Sequence, residues 1–229
     1  MTAATPGPLP PGTLYTRLRD ACGADWQAYT CHRFVRELGA GTLELESFRY
    51  YLIQDYVFLI HFARAWALAV YKSDTLEDMC QASATLNALL HQEMALHLRF
   101  CAGWGISQAQ METAPEAAAN LAYTRYVLER GLSGDLLDLL VALAPCVAGY
   151  AEIGKTLASQ ATPSNPYREW IASYAGEDYQ CLSSAMLAQL ERTAARLLTP
   201  AREASCLRTF RSATRLEVGF WDMALSRSP

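Results

Sequence analysis

Charge is scarce in this chain of 229 residues. Asp, Glu, Lys and Arg make up 18% of it, against a usual share of about 25%. With 52% hydrophobic residues, that balance excludes intrinsic disorder, which needs low hydrophobicity and high charge. It also implies that part of the surface is covered, by another copy of the chain. Basic residues are the smaller class, 19 against 23 acidic, for a net charge of −4. A basic face for nucleic acid or another phosphate-rich partner is therefore not expected. The glycine pattern G-x-G-x-x-G and the nucleophile elbow G-x-S-x-G are both missing, which removes the dinucleotide-binding and serine-hydrolase readings. Histidine is rare, at four. No stretch supplies about 18 uninterrupted apolar residues for a membrane span. The nearest reading, 57–71, is interrupted by His61 and Arg64. The first twelve residues carry four of the ten prolines and lack the basic and apolar regions of a signal peptide. They read as a flexible tail, residues 1–12, before one domain at 13–229.

Seven cysteines, an odd number without a C-x-x-C pair, do not suggest a disulfide framework. Most sit in apolar helical contexts, where cysteine acts as a small hydrophobe, and the expected compartment is the reducing cytoplasm. Helical periodicity dominates the chain and strand alternation is nearly absent. The pattern predicts helices near 14–21, 24–38, 46–72, 75–104 (capped by Asp74), 115–131, 135–159, 167–174, 177–198 and 200–225. Phe48, Leu52, Asp55, Leu59, Phe62 and Trp66 fall three or four apart and share one face. The fold class is all-α, a single helical bundle.

Four places could carry chemistry. Cys146 follows Pro145 in an apolar helix, where proline removes one backbone hydrogen bond, and Tyr150 lies one turn on. This thiol reads as a nucleophile or as one more buried cysteine beside a packing kink. Asp55 shares the apolar face of its helix, and buried Asp needs a partner. It reads as a carboxylate for an amino or ring-nitrogen group of a ligand, or as a structural ion pair, with Arg64 as partner. Glu217 stands three and four residues before Phe220 and Trp221. If it faces the core, desolvation raises its pKa and suits a general acid; the pattern alone favours a surface glutamate at the edge of the stripe. Glu93 and His97, at i and i+4 with His91 nearby, have metal-ligand spacing, but with no second Glu-x-x-His pair a buried structural hydrogen bond is the better reading. No metal and no cofactor are expected.

In order along the chain, Phe48-x-Tyr50-x-x-x-Gln54-Asp55-Tyr56 with His61-Phe62-Ala63-Arg64, Glu93-Met94-Ala95-Leu96-His97, Leu143-Ala144-Pro145-Cys146 with Tyr150, Glu152 and Gly154, Tyr167-x-x-Trp170-Ile171-x-x-Tyr174, and Glu217-x-x-Phe220-Trp221-x-Met223-Ala224 resemble segments of the TenA/thiaminase II family. The resemblance runs from about Leu14 to Met223. It implies the haem-oxygenase-like helical bundle and hydrolysis of aminopyrimidines from damaged thiamin to hydroxymethylpyrimidine and ammonia, with cleavage of thiamin as a further activity. By matched position, Cys146 would be the nucleophile, placing the chain in the cysteine branch. Asp55 would hold the amino group and adjacent ring nitrogen, and Glu217 would handle protons. Tyr123, Tyr150 and Tyr174 would line the pocket, with Phe220 as an aromatic wall. Phe58 stands where the family often has tyrosine. The resemblance also implies a small pyrimidine substrate and a homotetramer. Two other readings stay open: a non-catalytic or regulatory aminopyrimidine-binding protein that keeps the pocket, and a haem-oxygenase-like oxidase.

Overall fold

The computed structural model describes residues 10–229. Most of the expected Pro-rich tail, residues 1–9, lies outside the described residues; Pro11 and Gly12 form a turn. Twelve α-helices and one π turn follow, and no strand occurs among the described residues. The helices are α1 (Leu14–Ala21), α2 (Gly23–Thr30), α3 (Arg33–Ala40), α4 (Leu45–Lys72), α5 (Leu76–Ala88), α6 (Met94–Gly103), α7 (Gln108–Glu112), α8 (Ala118–Ser133), α9 (Leu136–Ala158), α10 (Arg168–Ala175), α11 (Glu177–Leu197) and α12 (Pro200–Ser226). The all-α expectation holds.

Two expected helices are drawn differently, and one helix is added. The segment expected at 24–38 is two helices, because the Nδ1 of His32 accepts the backbone N–H of Phe34 at 3.2 Å and starts α3 afresh. That helix ends at Gly41, whose φ of +74° is the left-handed geometry glycine adopts at no steric cost. The segment expected at 75–104 is capped by Thr75 rather than Asp74, since the Thr75 hydroxyl accepts the N–H of Asp78 at 3.1 Å. It is then interrupted by a π turn at Leu89–Glu93 before α6. The short helix α7 has no counterpart in the sequence reading.

The described chain gathers into two compact units. One comprises residues up to Leu43 together with Leu140–Arg215. In it the carboxylate of Glu191 accepts the N–H groups of Leu14 and Tyr15, both at 2.8 Å, placing negative charge at the N-terminus of α1, where the helix dipole favours it. The other comprises Glu44–Leu139 and Leu216–Pro229. Its centre is α4, which packs on α5, α6, α7 and α8. The face from Phe48 to Trp66 read from the periodicity is buried throughout.

Among the described residues, helix α9 rather than 57–71 is long and apolar enough to cross a membrane, and most of its apolar window is buried within the fold. Its residues Gly149 to Thr156 also spell the phosphate-loop pattern G-x-x-x-x-G-K-[ST]. That pattern binds phosphate through a loop between a strand and a helix. Here all eight residues are helical, and the two glycines serve packing. A Cβ on Gly149 would lie 2.1 Å from the Tyr29 ring, and one on Gly154 would lie 2.6 Å from the backbone of Tyr174.

Candidate active site

In the unit built around α4, Asp55 is 4% exposed and His97, on α6, is 0% exposed. The Tyr51 hydroxyl, one turn before Asp55, donates to Oδ2 at 2.9 Å. His97 Nε2 approaches the same oxygen at 2.7 Å, and His97 Nδ1 meets the Glu93 carbonyl at 2.9 Å. Burial disfavours a charged imidazole, but the hydrogen bond and charge of Asp55, with the Glu93 carbonyl, outweigh it, so the His97 pKa lies above its ordinary value. The partner expected from sequence, Arg64, is instead against His61, 2.9 Å from its Nδ1. Sequence reasoning missed the Asp55–His97 pair, which joins residues 42 positions apart. The available signal was an inward Asp in a chain with few histidines, one of them on another apolar helix. For Glu93 and His97 the structural hydrogen bond holds, through the Glu93 backbone rather than its side chain.

Glu217 is 2% exposed, which corrects the surface placement its pattern alone favoured. The stripe of α12 turns it inward with Phe220, and the Tyr123 hydroxyl donates to its Oε1 at 2.8 Å. Tyr123 is set by the start of α8. Gln54 Nε2 donates to the Pro115 carbonyl at 2.9 Å, while Gln54 Oε1 accepts from Ala117 N at 3.0 Å and Asn120 Nδ2 at 3.1 Å. This fixes α8 on α4 one turn ahead of Tyr123. The Phe58 ring centre lies 5.2 Å from Phe62, 5.1 Å from Tyr123 and 5.5 Å from Phe220. Phe220 in turn meets Tyr51 edge-on. Thus the structure brings Asp55, Tyr123, Glu217, Phe58 and Phe220 into one unit: two buried carboxylates, each receiving a tyrosine hydroxyl, among aromatic rings.

The other unit holds Cys146, Tyr150 and Tyr174. Cys146 is 9% exposed on α9. Pro145 before it lacks an N–H, so the Val141 carbonyl loses its helical donor. Tyr150 and Tyr174 pack with ring centres 4.9 Å apart, and Trp170 adjoins both. Gln180 Nε2 staples this cluster by donating to the carbonyls of Ala151 and Tyr174. Among the competing thiols, burial pushes Cys101 up to about 11 and also raises Cys22, leaving both poor sources of thiolate. None of the seven cysteines forms a disulfide.

The profile of the TENA/THI-4/PQQC family matches residues 20–227. An aminopyrimidine aminohydrolase from Halalkalibacterium halodurans is 39% identical over 202 residues, covering 87% of this chain and 89% of that protein. A second, from Helicobacter pylori, is 31% identical over 202 residues, covering 87% and 92%. Among solved structures, a TenA family transcription regulator from Silicibacter sp. TM1040 is 52% identical with a TM-score of 0.90, covering 94% of this chain and 97% of that one. With the match spanning nearly the whole sequence in both residue identity and helical fold, this chain belongs to the TENA/THI-4/PQQC family.

Proposed function

We propose that the protein is an aminopyrimidine aminohydrolase of thiamin salvage, converting an aminomethyl-substituted aminopyrimidine and water to hydroxymethylpyrimidine and ammonia. The observation that carries this reading is the burial of two carboxylates, Asp55 and Glu217, beside tyrosine hydroxyls and aromatic rings, in a chain whose relatives include aminopyrimidine aminohydrolases. An aromatic amine needs flat apolar walls and a few placed polar groups, and this unit offers both.

In the proposed reaction the Cys146 thiolate adds to a ring carbon, which breaks aromaticity. Asp55 accepts from the amino group and a protonated ring nitrogen, which draws electrons toward that nitrogen and lowers the barrier. Glu217 gives its proton to the leaving amine, and ammonia departs from the exocyclic carbon. Water then adds at that carbon and returns a proton to Glu217. The C–S bond breaks, the ring recovers its aromaticity, and the thiolate is restored. Tyr123, Phe58 and Phe220 supply aromatic walls beside Asp55 and Glu217, Tyr150 and Tyr174 are assigned to the substrate by the family resemblance, and no cofactor is proposed for these steps.

Phe58 in place of a tyrosine favours a second reading, an aminopyrimidine-binding protein with regulatory output and no turnover. The acidic net charge argues against a direct role on nucleic acid. A homotetramer is proposed from the family resemblance, and the outward large apolar side chains of Tyr71, Leu76 and Leu132 fit self-association. A cytoplasmic setting is proposed from the cysteine pattern. The deciding experiment incubates purified protein with a panel of aminopyrimidines and thiamin and measures ammonia and hydroxymethylpyrimidine. Release of both supports the hydrolase, and saturable binding without either product supports the regulatory reading.

A further inference from the structure

His97 has no role in the steps just described, yet it is fully buried against the carboxylate that would hold the substrate. A carbonyl oxygen only accepts hydrogen bonds, so Nδ1, facing the Glu93 carbonyl, carries a hydrogen. A further hydrogen must lie between Nε2 and Asp55 Oδ2, because two lone pairs 2.7 Å apart would repel. Tyr51 donates to the same oxygen. Tyr51 and His97 therefore converge on the same carboxylate oxygen, Oδ2. The backbone around His97 is built for this contact. The π turn Leu89–Glu93 closes with Met94 N–H bonded to the Leu89 carbonyl, five residues back. One extra residue in a turn rotates everything after it about the helix axis, and π turns concentrate at functional sites. This one ends on the residue whose carbonyl grips the His97 ring.

We propose that His97 is the positioning residue of Asp55: it pins Oδ2 through Nε2 and thereby turns Oδ1 toward the amino group of the pyrimidine. A carboxylate without that anchor turns about its terminal torsion, where the energy well is broad, and spends only part of its time presenting the productive oxygen. The inference rests on the aminopyrimidine reading.

The test is a kinetic cycle on the full chain with the aminomethyl-substituted aminopyrimidine, using the parent, His97→Leu, His97→Gln, Asp55→Asn and the doubles, with melting temperatures alongside. In the parent background His97→Leu lowers kcat/KM by about 10- to 100-fold, the size of one charge-assisted hydrogen bond. His97→Gln, whose amide can donate from a similar distance, recovers most of that loss. In the Asp55→Asn background neither His97 substitution lowers kcat/KM more than about twofold, because the group His97 acts through is already gone. The same fold loss in both backgrounds would assign His97 to the folded scaffold and overturn the inference. If His97→Leu does not fold, His97→Asn, which stays polar but whose shorter amide falls short of Asp55 Oδ2, takes its place in the cycle with the same expected losses. A parent that releases no ammonia overturns the hydrolase reading and this inference with it, whereas an active parent with multiplicative losses overturns this inference only.

Discussion

Tyr123 donates its hydroxyl to Glu217 at 2.8 Å, with both side chains buried. A carboxyl in that setting can hold a proton and release it toward a leaving amine. Glu217→Gln is therefore expected to lower kcat/KM by about 10²–10⁴ in ammonia release. Tyr123→Phe, which removes one hydrogen bond to the carboxyl, should cost nearer tenfold. Since Cys146 must be a thiolate and Glu217 protonated, the parent's pH–rate profile should be a bell whose limbs belong to the coupled pair, and Gln at 217 should delete one limb. A Gln variant with the full bell and a near-parent rate would move the acid to Asp55 or the tyrosines.

Cys146→Ala should abolish ammonia release while leaving the fold in place. Alanine keeps the apolar volume next to Pro145, so stability should change by about 1 kcal/mol or less. Thermal melting and ammonia release on the same preparation check both halves. Turnover above a tenth of the parent's would reject the nucleophile.

Asp55→Asn should weaken pyrimidine binding by about ten- to a hundredfold, because the amide loses the negative charge and offers one acceptor oxygen where the carboxylate offers two, its NH2 facing a donor instead. Isothermal titration with hydroxymethylpyrimidine measures it. Unchanged affinity with a large loss of melting temperature would make Asp55 a structural partner of His97 alone.

The helical fold was legible in the sequence because it depends on local spacing, whereas the candidate site residues were assigned largely by resemblance to the family's segments. Asp55 on an apolar stripe must find a partner wherever the stripe is buried. What the sequence did not show depends on long-range pairing. His97 and Tyr123 reach their carboxylates from other helices, and periodicity within one helix carries no information on that. Glu217 looked peripheral because its stripe is only three residues deep, until Tyr123 gave it a reason to be inside. The π turn escaped because its cause is a contact, not a local signal in Leu89–Glu93.

Gly154→Ala should destabilise the fold and blunt activity through Tyr174. A Cβ there would sit 2.6 Å from the Tyr174 carbonyl carbon and 2.7 Å from Ala175 N. Backbone cannot swing aside as a flexible side chain can, so α10 must shift from α9. Overpacking of this kind costs about 1–3 kcal/mol, visible in thermal melting, and KM should rise with displacement of Tyr174. An unchanged melting temperature would mean that the two helices can part at that point without loss.

The buried Asp55–His97 pair also predicts how stability depends on pH. The folded pKa of His97 is raised above an unfolded value of about 6.5. The folded state therefore holds the His97 proton more tightly than the unfolded chain does. The resulting stabilisation is fully present below about pH 6.5 and is lost as pH rises through the folded pKa. His61 shifts the other way. Burial lowers its pKa, with Arg125 adding to the effect, so its contribution changes in a separate window, diminishing as pH falls below about 6.5. Melting temperatures taken from neutral pH upward should thus fall in the parent and run flatter in His97→Gln, since glutamine has no proton to lose and His61 is common to both. Parallel curves above pH 6.5 would show that the pair does not hold an extra proton in the folded protein.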